Sequence, residues 1–446
     1  MAEASVRAGI EERLARMIRA KTVTGEDAEL AAFPRLLREL YPLVHERLEL
    51  ERVGELGLLY HWRAGLDAPA SAATRPAVLM AHFDVVPVDP DDIWSFDAFG
   101  GAISGGIVYG RGAIDDKGAL VVLLDAVENL LQRGFTPPRD IYLSFGGDEE
   151  TYGGGAKTIA DLLHARGIRP WIVLDEGGAI VEGVMPMVPE PAAQVGVGEK
   201  GILSVELRAT GVAGHASTPA NDLTATDRIA RAVARLTRNP FPDRLNDTGR
   251  EMLRRYRTRA TASGRRRLSL LLAVPTLAAH VFSRLGNEPA AMVHTTLVTT
   301  MLGGGTAPNV IPSTASAMLN IRIATGSSVA ASLAILRRAV DDPEIELHVV
   351  EASEPSPESR TDAEQFALIE RAIDAAYPGV LVAPYIMLAA SDARHFHRYT
   401  PEHTYRFAPL HLDPGELRSV HGVDERVTVS SLVAGEVFYR TLIESL

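Results

Sequence analysis

The string Met80-Ala-His82-Phe-Asp84 is followed by Gly112-Ala-Ile-Asp115-Asp116 and then by Gly147-Asp148-Glu149-Glu150. One imidazole and several carboxylates in this order supply nitrogen and oxygen donors suited to a pair of zinc-like divalent ions, with one carboxylate left over as a base. Two such ions, roughly 3.5–4 Å apart, share a water, lower its pKa and polarise a scissile carbonyl. Amide hydrolysis then needs a group that takes the water's proton and returns it to the leaving amine. Glu149 can do so if it is not itself a ligand while Glu150 beside it binds metal. On an extended segment the two side chains would diverge; in a turn after a strand both can address one site. A bare Glu-Glu pair is ordinarily a solvated surface feature, but at a glycine-rich strand end within this set the site reading outweighs it. His82 and Asp84 fit an imidazole whose second ring N–H is held by a carboxylate, which fixes the metal-binding tautomer. Asp115-Asp116 sets two like charges side by side, which is costly unless a cation lies between them.

These residues need a scaffold that brings them to one edge. Ala77–Ala81 is an apolar run of buried-strand type with His82 and Asp84 just past it. Leu120, Leu123, Leu124, Val127 and Leu131 form a helical stripe closed by Gly134 and Pro137-Pro138. Ile141–Phe145 and Trp171–Leu174 are the next strands, ending in the Glu149-Glu150 segment and in Asp175-Glu176-Gly177-Gly178. Polar residues at one strand end are ordinary loop chemistry. Three strands delivering acids or imidazole at their C-terminal ends match the place where open α/β sheets hold ligands. The expected fold is α/β: a mixed-sheet catalytic domain with helices on both faces.

Near Glu199 the pattern changes. Gly201–Arg208 and Ala315–Ile323 alternate like half-exposed antiparallel strands, with helical patterns over Thr226–Leu236 and Ser328–Ala339. This predicts an inserted α+β lid or dimerisation domain over 199–353, between catalytic parts 1–198 and 354–446, in which Phe366–Ala376 is a helix and Val382–Met387 a strand. Residues 240–295 form an extra helical segment, basic and then strongly apolar over 268–283. Its ordinary reading is a solvated face beside a packed one; the sharper reading is an apolar wall beside the substrate entrance.

A length of 446 residues favours two domains. A net charge of −12 argues against nucleic acid as a partner. The absence of cysteine excludes disulfides, thiolate zinc sites and a cysteine nucleophile. No Gly-x-x-x-x-Gly-Lys loop for phosphoryl transfer is present. Ile10, Leu14, Met17 and Ile18 share one helical face, so the N-terminal stretch reads as an amphipathic helix and not as a signal peptide. The run Leu268–Phe282 is too short to span a bilayer. No stable membrane insertion and a cytoplasmic location are therefore expected.

The strings Met80-Ala-His-Phe-Asp-Val-Val-Pro87, Tyr109-Gly-Arg-Gly112, Leu174-Asp-Glu-Gly-Gly178 and Val420-His-Gly-Val423 resemble those of the zinc aminoacylase and carboxypeptidase family, which includes glutamate carboxypeptidase and succinyl-diaminopimelate desuccinylase. They look most like the branch that holds Gly-Xaa carboxypeptidase and N-fatty-acyl-amino acid synthase/hydrolase, and the similarity runs in motif order from about residue 10 to the C-terminus. The resemblance implies two divalent metal ions, zinc above all. In that correspondence His82 and Asp175 are ligands of one metal, Glu150 and His421 of the other, and Asp115 bridges both. Glu176 adjoins Asp175 and some relatives place Glu there; register after the strand favours Asp175. Glu149 matches the general base, and Asp84 the carboxylate that orients His82. A cis peptide after Asp115 is also implied.

His215, in Gly211-Val-Ala-Gly-His215-Ala-Ser217, matches a histidine that stabilises the tetrahedral oxyanion, often across a dimer interface. On local sequence alone a turn histidine is equally good. Asn309, Arg322 and Arg394 match positions that grip the substrate carboxylate, for which arginine's bidentate fork is suited. For Arg322, on an alternating strand, a structural ion pair is an equal alternative. His61, His280, His395, His397 and His411 are left as structural or surface residues. The expected protein is a homodimeric dizinc amidohydrolase acting on a small N-acyl-amino acid, with dipeptide hydrolysis as the rival. A non-catalytic protein that kept the fold would have lost Glu149 or a ligand, and none is missing.

Overall fold

The computed structural model describes residues 7–446 apart from 66, 67, 69–72, 74, 152, 186 and 220. Ala77–His82 and Ile141–Gly146 are buried along their whole length, and Ile172–Asp175 likewise. Such continuous apolar runs, with no polar alternation, are what parallel strands covered on both faces require. The three pair in parallel, with His82 opposite Gly146 and Leu79 opposite Leu174, so their C-terminal ends share one edge of the sheet. Around them the sheet is mixed. Glu49–Val53 and Gly57–Trp62 add antiparallel strands on one side. Thr404–Arg406, Ala192–Glu199, Ile180–Val181 and His411–Leu412 follow on the other, and Leu381–Met387 runs parallel to Ala192–Glu199.

The stripe expected at Leu120–Leu131 lies on a helix, Lys117–Gln132, that is buried on nearly every side rather than on one. Helices Ile10–Arg19, Pro42–Arg47 and Val429–Glu444 pack against it. Burial of its leucines stabilises by about 1.5–3 kcal/mol each. Its polar groups survive burial because they are paired: Asp125 accepts from Arg13 Nε at 2.7 Å and from Tyr41 Oη at 2.9 Å, while Glu128 accepts the amides of Leu43 and Val44 at 3.1 and 2.9 Å. The N-terminal helix Ile10–Arg19 buries Ile10, Leu14, Met17 and Ile18, as its periodicity predicts.

Gly201–Thr210 and Thr314–Ile323 form the centre of a second, antiparallel sheet, edged by Thr296–Gly304 and Ile345–Ser353. The alternation is as the sequence predicts: Leu203, Val205 and Leu207 face Leu319, Ile321 and Ile323 in a core closed by helices Ala225–Leu236 and Val329–Val340. Lys200 is the link between the two sheets.

The helices of the 240–295 segment are Asp247–Arg259, Ala262–Ala273, Pro275–Leu285 and Asn287–Ala291. Asp247–Arg259 packs on the catalytic strand Leu381–Met387. Met252, Leu253, Tyr256, Leu268 and Phe282 share a core with Met185, Val188 and Ala383. Among the described residues no single helix is long and apolar enough to cross a membrane.

Candidate metal centre

His82 ends its strand, and the chain then turns so that Asp84 is fully buried beneath the sheet edge. His82 Nδ1 stands 3.1 Å from the Asp84 carbonyl oxygen and 3.4 Å from its carboxylate Oδ1. An N–H at Nδ1 leaves the lone pair on Nε2, which faces Asp115 Oδ1 at 2.9 Å. The Asp84 carboxylate has further partners: it accepts the amide N–H of Glu149 at 3.2 Å and of Glu150 at 3.1 Å, and Thr24 Oγ1–H at 3.1 Å. One buried carboxylate thus ties the turn after Ala77–His82 to the turn after Ile141–Gly146.

The second turn is a single 3₁₀ coil, Glu149–Thr151. It breaks the up-down alternation of the strand, so the two adjacent glutamates reach the same cleft. Gly153 closes this turn at φ +59°, and a Cβ there would collide with Asp392 Oδ1. Only glycine suits both demands.

Asp115 is delivered by the loop before Lys117–Gln132, and the Asp115–Asp116 peptide is cis, as the resemblance implies. Asp116 turns back to accept the His82 amide at 3.1 Å. His421 sits at φ +58°, a left-handed conformation rare for a residue with a side chain. There its Nε2 is 3.1 Å from Asp115 Oδ2 and 3.2 Å from Glu150 Oε1. Donor atoms of His82, Asp115 and Glu150 lie within 4.8 Å of one another, with Asp115 between His82 and His421. Asp175 is 1% exposed, and its Oδ2 accepts the Ala393 amide at 2.7 Å. Glu176 is partly buried next to it.

Protons distribute accordingly. Burial pushes the carboxyls of Glu149, Asp116, Glu176 and Asp392 well above the ordinary carboxylate range, and neighbouring carboxylates add to the push. Hydrogen bonds to Asp115 and Glu150 push His421 up to about 10. A surplus of buried negative charge, with histidine nitrogens turned into it, is the electrostatic profile that a divalent cation relieves. Glu150 Oε1 is buried beside the His421 ring nitrogen, which stands between it and Asp115. The residues present therefore fit a metal.

A cleft of about 630 Å³ opens from Glu149 and Glu150 toward the second sheet, lined by Asn320, Arg322, Arg394 and His395 among others. Arg322 has no acidic partner among the described residues, so the alternative of a structural ion pair is not what is found. Arg394 also reaches this cleft, on the short helix Ala393–His397. Nothing from 240–295 lines it, so the apolar wall expected from 268–283 is not there. Those residues are instead committed to the core over Leu381–Met387 or to solvent. A second cavity, of about 170 Å³, is lined by Phe241, Met292, Val293, Ile335, Ile386 and Leu388 together with Lys200, Arg244, Asn246, Thr295 and Thr325.

His215 and Asn309 come together outside the cleft that Glu149 and Glu150 line. His215 pairs with Val310 in a small antiparallel two-stranded sheet, and the Ala216 amide donates to the Asn309 carbonyl at 3.0 Å. Both residues are exposed and neither lines the cleft.

Three residues that position the site escaped the sequence reading. Glu425, fully buried, accepts the amides of Gly112, Ile114 and Asp115. Glu199 accepts from Ser391 Oγ and Arg406 Nε at 3.1 and 2.9 Å. Asp392 has a buried Oδ1 with no partner. None of them stands in an acid cluster with a spacing suited to ligation, and only proximity to residues far along the chain reveals its place.

Residues 78–445 match the sequence profile described as Peptidase family M20/M25/M40. A probable carboxypeptidase S-like protein 2 of Dictyostelium discoideum is 34% identical, over 97% of this chain and 84% of its own length. The N-fatty-acyl-amino acid synthase/hydrolase PM20D1 of Mus musculus is also 34% identical, over 95% of this chain and 85% of its own length. Among solved structures, an M20 family metallo-carboxypeptidase, Sso-CP2, from Sulfolobus solfataricus superposes with a TM-score of 0.71, covering 98% of this chain and 99% of that one at 17% identity, which is a likeness of fold.

Proposed function

The chain belongs to peptidase family M20/M25/M40 and is a hydrolase of amide bonds; from that premise we propose that it hydrolyses N-acyl-amino acids at a two-metal centre. The observation that carries this reading is the shared donor set of His82, Asp115, Glu150 and His421, with the half-buried Glu149 beside it and two arginines across the cleft.

His82, Asp115, Glu150 and His421 would hold the metals, with Asp175 or Glu176 drawn in to complete the set. Divalent ions there, zinc in this reading, lower the pKa of a water and polarise the acyl carbonyl. Glu149 takes the proton of the attacking water as the C–O bond forms. It returns that proton to the amine nitrogen as the C–N bond breaks, leaving a carboxylate and a free amino acid. Burial pushes the Glu149 carboxyl up, and a cation bound beside it would favour the carboxylate that accepts the proton. Arg394 and Arg322 suit the substrate's free α-carboxylate by their planar fork.

His215 would act as the oxyanion donor, with Asn309 beside it, from a second copy of the chain. Support comes from their exposure on a small two-stranded sheet outside the cleft. Edge strand Thr296–Gly304 also leaves Val298, Met301 and Leu302 uncovered, at 59%, 67% and 67% exposure.

For the acyl group, the place offered to chains longer than acetyl is the cavity of mixed lining at Leu388, which neighbours Ala389 and Ala390 of the cleft in the chain. Gly-Xaa-type dipeptide hydrolysis on the same scaffold is the competing reading. The test is a panel of N-acetyl, N-palmitoyl, N-oleoyl and dipeptide substrates that share one C-terminal residue, assayed for free amine before chelation, after it, and after zinc or cobalt is restored. Loss and recovery of turnover with preference for acyl substrates supports the reading. Preference for dipeptides moves it to the carboxypeptidase side, and indifference to chelator overturns the metal centre.

A further inference from the structure

Helices Ala262–Ala273 and Pro275–Leu285 meet at a bend of 115° around Val274. On the inner side, Leu268, Ala278, Ala279 and Phe282 are buried in the core shared with Met185 and Ala383. On the outer side Leu270, Val274, Leu277 and Leu285 are exposed by 56%, 41%, 36% and 63%. Arg266, Leu270 and Val274 are spaced to lie along one face of the first helix, and Leu277, His280 and Arg284 along one face of the second. The crease of the hairpin is therefore an apolar ridge with a guanidinium toward each end.

The surrounding charge is one-sided. Residues 240–295 contain ten arginines and four acids, a net +6 in a chain whose total is −12, which leaves −18 on the rest. Arg257, Arg259, Arg265, Arg266, Arg267 and Arg284 are all exposed. Arg266, Arg267 and Arg284 have no acidic partner among the described residues. A protein with this polarity turns its basic segment toward an anionic plane and its acidic body away from it.

We propose that this hairpin is a peripheral docking element for an anionic phospholipid surface: Leu270, Val274, Leu277 and Leu285 enter the headgroup–acyl boundary and the arginines pair with lipid phosphates. An apolar face bordered by arginine is the pattern of an interfacial helix, and the 115° bend departs from the straight course of a single crossing helix. The proposal is independent of which amide is cleaved, because none of these residues lines the cleft.

The test is flotation of the full-length, metal-loaded protein with vesicles of pure phosphatidylcholine and of phosphatidylcholine mixed with phosphatidylglycerol, at low and at physiological salt. The expected result is partition onto the mixed vesicles, weakened by salt, with little on the neutral ones. Reversing three charges in R265E/R266E/R267E should lower partition by more than about 30-fold, and L270S/V274S/L277S should lower it at least about tenfold. Because the substituted side chains are exposed, both variants should keep wild-type turnover of a short soluble substrate, which confirms that they fold. Failure of the wild type to float at low salt overturns the proposal, as does undiminished flotation of both variants. So does loss of self-association, in place of lipid binding, in the leucine variant, which would assign the ridge to a second copy of this chain.

Discussion

Glu425 accepts the amide N–H of Asp115 at 3.1 Å although 310 residues separate the two in the chain. The same carboxylate takes the amides of Gly112 and Ile114 at 3.0 and 2.8 Å and Arg111 Nη1 at 2.7 Å. It lies in the segment that also carries His421, so one buried group joins two of the loops that supply the donor set. Glu425→Gln keeps the shape but turns an amide N–H toward backbone N–H groups. The expected outcome is a fold retained by circular dichroism and a metal affinity about 10- to 100-fold weaker, read by titration with a competing chelator. Unchanged affinity would reduce Glu425 to a loop anchor without consequence for the site.

In the proposed reading Arg394, which lines the cleft, meets the substrate's carboxylate. Arg394→Ala should raise KM for free-acid substrates by about 10- to 100-fold, the loss of a charge-assisted pair. The same substrates with the carboxylate amidated should be turned over equally by variant and wild type. An equal loss on both would mean that Arg394 only shapes the cleft.

The cavity at Leu388 makes the acyl assignment testable from the protein side. Leu388→Trp fills it with added volume. The expected effect is a kcat/KM at least about tenfold lower for N-oleoyl substrates, with N-acetyl substrates unaffected. Unaltered oleoyl kinetics would remove that cavity from the account.

His397 gives an acid limit to stability that does not depend on the metal centre. It is fully buried, and burial, with Arg406 alongside, pushes its imidazole from 6.5 to about 3. The ring is therefore neutral in the fold and protonated in the unfolded chain at mildly acid pH. Its contribution is complete above pH 6.5 and is lost as pH falls toward 3, by ~1.4 kcal/mol per pH unit. Urea unfolding of His397→Gln against wild type should show the smaller acid dependence in the variant over that window. Parallel pH dependences would mean that His397 titrates normally.

Much of this was legible in the sequence because hydrophobic period and burial agree. Ala77–Ala81, Ile141–Phe145 and Trp171–Leu174 read as buried strands, and the fold shifts each boundary by a residue or so. The central strands of the second sheet were equally clear from their alternation. Its edge strands Thr296–Gly304 and Ile345–Ser353 were not, because an edge exposed on several sides imposes no apolar period. His82, Asp115, Glu150 and His421 converge; His82 and Glu150 were legible as donors past strand ends, whereas His421 was named only through the family resemblance. The 268–283 run misled because apolar composition does not say which surface it faces; here one side meets Leu381–Met387 and the other meets solvent. Glu425 and Asp84 show the remaining limit. What they do depends on backbone amides brought near by the fold, and a backbone amide carries no sequence signal.

The most direct test of the catalytic account is turnover of an N-acyl-amino acid by metal-loaded Glu149→Gln, with metal content measured on the same sample. Glutamine keeps the shape and the Asp84-held turn but accepts no proton from water. The account expects full metal content, an unchanged fold and a kcat lower by about 10²–10⁴-fold. A kcat near that of the wild type would contradict it and remove Glu149 from the chemistry.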